Sequence, residues 1–259
     1  MITFGVLSVM LELHEILLLF GAGIFAGFIN TMAGGGSLIT LPLMIFLGLP
    51  PAVANGTNRI GIVISSLSAT MGYRSKHVST QPFSLYLGVV ALLGALIGAK
   101  IAIDIRGDLF NRILAIIMIL VVMTMVFKPK FSTQNAVERL YGKHLWISMI
   151  AFFFIGIYGG FINAGIGFII MLFLNFFNRM NLIRVNATKV AVVFVYSVGA
   201  LATFALSGNV HWLYGFCLAS GTSLGAWTAS RYSVKKGESV IKIFMILMVV
   251  AMSIKLWFF

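Results

Sequence analysis

The sequence predicts an all-α integral membrane protein: two inverted-topology repeats of about five helical segments each, with broken or short helices where the repeats meet. Composition, an internal duplication and the placement of charge carry that prediction. Of 259 residues, 60% are hydrophobic and 9% charged, with a mean hydropathy of +1.06. A soluble domain would carry about a quarter charged residues. Apolar runs long enough for a membrane helix, about 20 residues at a 1.5 Å rise, recur along the whole chain.

The first apolar segment, at 15–31, runs into "FINTMAGGGSLITLP" (28–42). Three consecutive glycines destabilise a helix rather than merely thin its surface, so a turn is expected over Thr31 to Ser37. The second segment, 37–49, is too short to span. Ser37 is a plausible N-cap for it. The third, 57–73, opens on Asn55, Gly56, Thr57, Asn58 and Arg59. Segments at 82–103 and 109–127 complete the first repeat, 1–128, and a polar linker, 129–144, follows.

The second repeat, 145–259, is expected as segments 145–163, 166–177, 187–207, 212–230 and 239–258. Its short segment follows a turn at Ala164 to Gly167. "GIFAGFIN" (23–30) matches "GIYGGFIN" (156–163) at six of eight positions. "AGGGSLI" (33–39) answers "AGIGFII" (164–170), "NGTNR" (55–59) answers "NATKV" (186–190), and "GALIGA" (94–99) answers "GTSLGA" (221–226). Four matches in one order mark a duplication. Gly94/Gly98 and Gly221/Gly225 read as close helix packing through small residues.

Charge then orients the chain. Basic clusters at 73–77, 128–131, 139–144, 178–184 and 231–236 all fall on one side if the segments alternate. That side is expected to be cytoplasmic, with both termini outside. The net charge of +12 is therefore assigned to topology rather than to nucleic acid. An odd number of segments per repeat inverts the second half, and inverted repeats with broken helices are the architecture of secondary transporters. Cys217 is alone and the four histidines are far apart, so neither a metal site nor a cofactor is expected. The first residues lack a basic region and do not read as a signal peptide.

The expected site follows from the breaks. Non-helical backbone inside a membrane is sheltered by protein or lines a watery cavity. Each short helix would aim its N–H groups and positive dipole end inward, which suits an anion. Candidate residues are Asn30, Thr31, Gly34, Gly35, Gly36, Ser37, Asn55, Thr57, Asn58 and Arg59, with Asn163, Gly165, Gly167, Asn186, Thr188 and Lys189 from the second half. Gly34 to Ser37 would face Gly165 to Gly167 across a midplane pocket. Asn55 and Asn186 also read as N-caps. Arg59 and Lys189, early in their helices, would oppose the dipole unless a bound anion compensated or they snorkelled to headgroups. All six acids lie near segment ends or in loops, leaving a cationic substrate no counter-charge.

"GFINTMAGGGSLITLPLMIFLGLPPAVANGTNR" (27–59) and its partner over 159–190 resemble the TauE/SafE family of sulfite exporters. The resemblance covers essentially the whole chain, although the second copy has "GIG" in place of a longer glycine run. It implies a bacterial inner-membrane transporter of sulfite, sulfonates, sulfoacetate or similar anions. The residues alone reach only "small anion". An anion channel stays open beside the transporter, as do another anion such as a carboxylate or thiosulfate and a homodimer. An enzyme is disfavoured by the absence of an intramembrane acid or His cluster.

Overall fold

The computed structural model describes residues 2–126 and 137–232, and these residues form helices and connecting turns only. Nine helices are described: α1 (Ile2–Ala33), α2 (Ser37–Phe46), α3 (Pro51–Arg74), α4 (Phe83–Asp104), α5 (Gly107–Val126), α6 (Lys143–Phe161), α7 (Ile166–Phe176), α8 (Leu182–Leu206) and α9 (Trp212–Tyr232). The expected tenth segment, most of the linker and the basic cluster beyond Tyr232 lie outside the described residues.

Several helix starts differ from the sequence expectation, each for a local reason. The third helix begins at Pro51 rather than near residue 57, because Pro50 is its N-cap and Pro51 occupies the first turn. Proline is preorganised there, having no N–H to leave unpaired. The eighth begins at Leu182, capped by Asn181, whose side chain accepts from the Arg184 N–H. Asn55 and Asn186 are therefore interior residues, not caps. Ser37 is not a cap either: Gly36 holds the N-cap position of α2 and no side chain bonds there.

The first break is tighter than expected and the second begins two residues earlier. Thr31 to Ala33 remain helical, so the first turn is Gly34 to Gly36; the second runs from Ile162 to Gly165. Left-handed backbone makes each reversal, at Gly34 (φ +80°) in one and at Asn163 (φ +61°) and Gly165 (φ +71°) in the other. Glycine and asparagine are the residues that adopt it at least cost.

Small residues set the packing. Helix α1 lies on α9, and α4 on α6. A Cβ on Gly27 would stand 2.1 Å from the Thr222 carbonyl oxygen, and one on Gly225 1.9 Å from that of Ile24. Across the other pair, a Cβ on Gly98 would stand 1.9 Å from the Ile157 oxygen, and one on Gly160 2.1 Å from that of Ala95. These are backbone-to-backbone approaches that any side chain would force apart. Helices α3 and α8 pack together at the centre. Every residue from Ala54 to Ile62 on α3 and from Val185 to Val190 on α8 is buried.

The outer surface is apolar. On α4, Leu93, Ile97 and Ile101 are about half exposed, and on α6 Ile150 and Phe154 more so. Among the described residues, four helical stretches are long and apolar enough to cross a membrane: Leu13–Ala33, Phe83–Asp104, Lys143–Phe161 and Leu182–Leu206. The molecule is an all-α integral membrane protein with a polar centre and a greasy rim.

Candidate functional site

The two helix breaks meet. A Cβ on Gly34 would lie 2.4 Å from the Gly167 Cα, and one on Gly167 2.3 Å from the Gly34 Cα. This corrects the sequence expectation of a pocket between the turns: their backbones touch, and two small cavities flank the contact instead. A hydrogen bond from Asn163 Nδ2 to Ser37 Oγ, 3.1 Å, ties the turns together. Tyr196 donates its hydroxyl to Asn163 Oδ1 at 2.5 Å, locking the asparagine from α8.

The first cavity is walled by the end of α1 (Ala26, Gly27, Asn30), the start of α2 (Gly36, Ser37, Thr40), α3 (Asn58, Gly61, Ile62, Ser65) and Thr222. The second is walled by Asn30, Ser66, Asn163, Ile166, Gly167, Lys189, Val190 and Val193. Each encloses about 10 Å³, room for about one water molecule.

The largest departure from expectation concerns the cations. Arg59 and Lys189 lie well inside α3 and α8 and are 0% and 1% exposed, so neither snorkels to headgroups. Their compensation comes from carbonyl oxygens. The α6 helix ends with the Ile162 N–H on the Tyr158 oxygen. The next three carbonyls are taken by side chains from α3: Arg59 donates to Gly159 O at 2.6 Å and Gly160 O at 2.7 Å, and Asn55 Nδ2 to Phe161 O at 2.6 Å. Arg59 also bonds Asn55 Oδ1 at 3.2 Å and faces the Phe204 ring at 5.7 Å.

Lys189 does the same at the end of α1. Its ammonium donates to Thr31 O at 2.9 Å and to Asn186 Oδ1 at 2.7 Å, with Met171 Sδ at 3.5 Å. Each helix C-terminus concentrates about half a negative charge on unpaired carbonyls. A cation set there replaces the missing carboxylate. The described acids are all elsewhere: Asp104 and Asp108 are exposed, Glu138 pairs with Arg184 at 3.2 Å, and Glu15 accepts from the Tyr214 hydroxyl.

The remaining candidates divide. Asn30, Gly36, Ser37, Asn58, Asn163, Gly167 and Lys189 line the two cavities. Gly34, Gly35 and Gly165 form the buried turns. Thr31 turns its hydroxyl back onto Gly27 O and contributes only its carbonyl. Thr57 accepts from the His211 N–H in the α8–α9 connection, and Thr188 lines neither cavity. Sequence reading passed over Thr40, Ser65, Ser66 and Tyr196. Thr40 sits one turn beyond Ser37, and Tyr196 is a hydroxyl in an apolar helix that has to find a partner when buried; both signals were present.

Fold and site together define a polytopic membrane protein whose polar centre carries two cations at paired helix breaks, with none of the described acids beside them. Residues 19–256 match the family described as "Sulfite exporter TauE/SafE". The chain belongs to this family of membrane transporters. It is 31% identical to a probable membrane transporter protein, ORF9, of Sinorhizobium over 95% of this chain and 94% of that one. It is 31% identical to the probable membrane transporter protein YfcA of Escherichia coli K12, covering 92% and 88%. A probable membrane transporter protein of Haemophilus influenzae is 28% identical, over 92% and 93%. No solved structure matches the chain.

Proposed function

We propose that this protein is a secondary transporter that moves a small sulfur-containing anion, of the sulfite, sulfonate or sulfoacetate class, by alternating access of two inverted repeats. It is not an enzyme on this reading. It sits in a bacterial inner membrane with its termini outside and the central linker in the cytoplasm. The observation that carries the proposal is the meeting of two helix breaks beside two buried cations with no carboxylate in contact among the described residues. A buried positive centre of this kind attracts anions and repels cations. The family description supplies the sulfur chemistry.

The cavities beside the breaks, about 10 Å³ each, are too small for a sulfonate. Entry therefore requires the Gly34–Gly167 contact to part, as rocking of one half against the other would do. Purified protein in proteoliposomes tests this: saturable uptake of sulfite or methanesulfonate, accelerated by the same anion on the far side, is the expected result. Flux that rises without saturation would favour a channel. Carboxylate or thiosulfate uptake without any response to sulfite or sulfonate would move the substrate class.

A further inference from the structure

We propose that the substrate's oxyanion group binds in the first cavity, against Ser37, Thr40 and Asn58 at the amino-terminal turn of α2, and that Arg59 and Lys189 act on it only at a distance. This rests on the anion-transport reading above and deepens it by naming the contact groups.

The first support is an unpartnered donor. Asn58 is 2% exposed, and Thr40 donates to its Oδ1 at 2.7 Å. Its Nδ2 has no protein partner among the described residues. Buried amide groups are nearly always satisfied, so a free one on a cavity wall marks a place for a ligand acceptor. Beside it, Ser37 Oγ accepts from Asn163 and keeps its own O–H to give. The ten-residue helix α2 starts at the same wall and presents its positive dipole end there.

The second support is an asymmetry between the halves. The alignment of 33–39 with 164–170 pairs Ser37 with Phe168 and, continued to the next residue, Thr40 with Met171. Asn58 pairs with Lys189. Phe168 and Met171 are buried, and Met171 lies against the Lys189 ammonium. Where the first half has hydroxyls around an open space, the second has bulk apolar side chains filling it. The second cavity still has polar walls, with Asn30, Asn163, Lys189 and the unpartnered Ser66 hydroxyl, but its short helix brings no hydroxyl to it.

The third is the occupation of the cations. Arg59 lines neither cavity, and Lys189 reaches only the second, whose walls include Ile166, Val190 and Val193. The Arg59 Nη1 and Nη2 groups and the Lys189 ammonium already hold the carbonyl ends of α6 and α1, and the unpartnered Arg59 Nε faces neither cavity. They keep the centre positive while neutral amide, hydroxyl and backbone groups make the contact.

Binding of methanesulfonate and sulfite to detergent-purified protein, followed by calorimetry and by the ligand-induced rise in melting temperature, tests this. Asn58→Asp keeps the acceptor for Thr40 and replaces only the free donor with a carboxylate oxygen. It is expected to abolish binding by setting a negative charge against the anion; burying that carboxylate lowers the ligand-free melting temperature, so binding is read by calorimetry on the folded fraction. Asn58→Ala is expected to weaken binding ~10- to 100-fold, the loss of one donor to a charged group, and poses the same question should the Asp variant be poorly folded. Ser66→Ala removes the unpartnered hydroxyl of the second cavity and is expected to weaken binding less than Asn58→Ala does. Wild-type affinity in both Asn58 variants, or a loss in Ser66→Ala as large as in Asn58→Ala, overturns the site while leaving anion transport standing. No response of the wild type to either anion overturns the transport reading and the site with it.

Discussion

Replacing Arg59 by methionine separates a helix-capping arginine from a substrate-binding one. The guanidinium makes two charge-assisted bonds, 2.6 and 2.7 Å, to Gly159 and Gly160, and a weaker one to Asn55. Methionine fills comparable volume but leaves these buried acceptors without donors, at about 1–3 kcal/mol each. Against this, the variant no longer buries a cation, which itself costs several kcal/mol. Removing one member of a buried polar set is nonetheless net destabilising as a rule, and about 3 kcal/mol is expected here. For a chain of this size that corresponds to a fall in Tm of roughly 6–12 °C. Thermal unfolding in detergent without any anion is the assay. Arg59→Lys should fall between, since one ammonium cannot fork to both carbonyls as a guanidinium does. Asn55→Leu combined with Arg59→Met should cost less than the sum of the two, because both act on the same helix end. An anion-free Arg59→Met protein melting within about 2 °C of wild type would refute the capping account.

Further outcomes follow from single contacts. Gly34→Ala places a Cβ 2.4 Å from Gly167 at a φ of +80°, so collapse of monodisperse yield and of transport is expected. Gly48→Ala, at φ +90° in open space, carries the same backbone strain without the collision and should fold, losing about 1 kcal/mol in a thermal melt. Tyr196→Phe removes the hydroxyl that holds Asn163 and should lower stability by about 1–3 kcal/mol, read as a drop in Tm. Asn181→Ala deletes the cap of α8 and should cost about 1 kcal/mol in the same measurement.

Much of this was legible in the sequence because it is local chemistry. "AGGGS" cannot continue a helix, and the short apolar runs after each break cannot cross a bilayer. The duplicated order of motifs singled out the residues that meet at the centre. The misplaced starts of α3 and α8 were also local and were readable: Pro50–Pro51 and Asn181 are stronger starting signals than Asn55 and Asn186, which were read as caps because they open the polar run. Charge counting alone pointed toward an anion, since the acids sit at segment ends.

What only the tertiary structure decided is what Arg59 and Lys189 touch. Their partners are backbone carbonyls at Gly159, Gly160 and Thr31, which come from the other half of the chain. Every residue carries a carbonyl, so the acceptor leaves no mark in the sequence; it becomes available only where a helix ends. The packing of glycine on glycine then brings that end to a particular side chain. By itself the sequence determined which helices break and that the acids sit away from the breaks. Folding decided that each cation seals the end of a helix from the other half, and that the free donor beside the breaks belongs to Asn58.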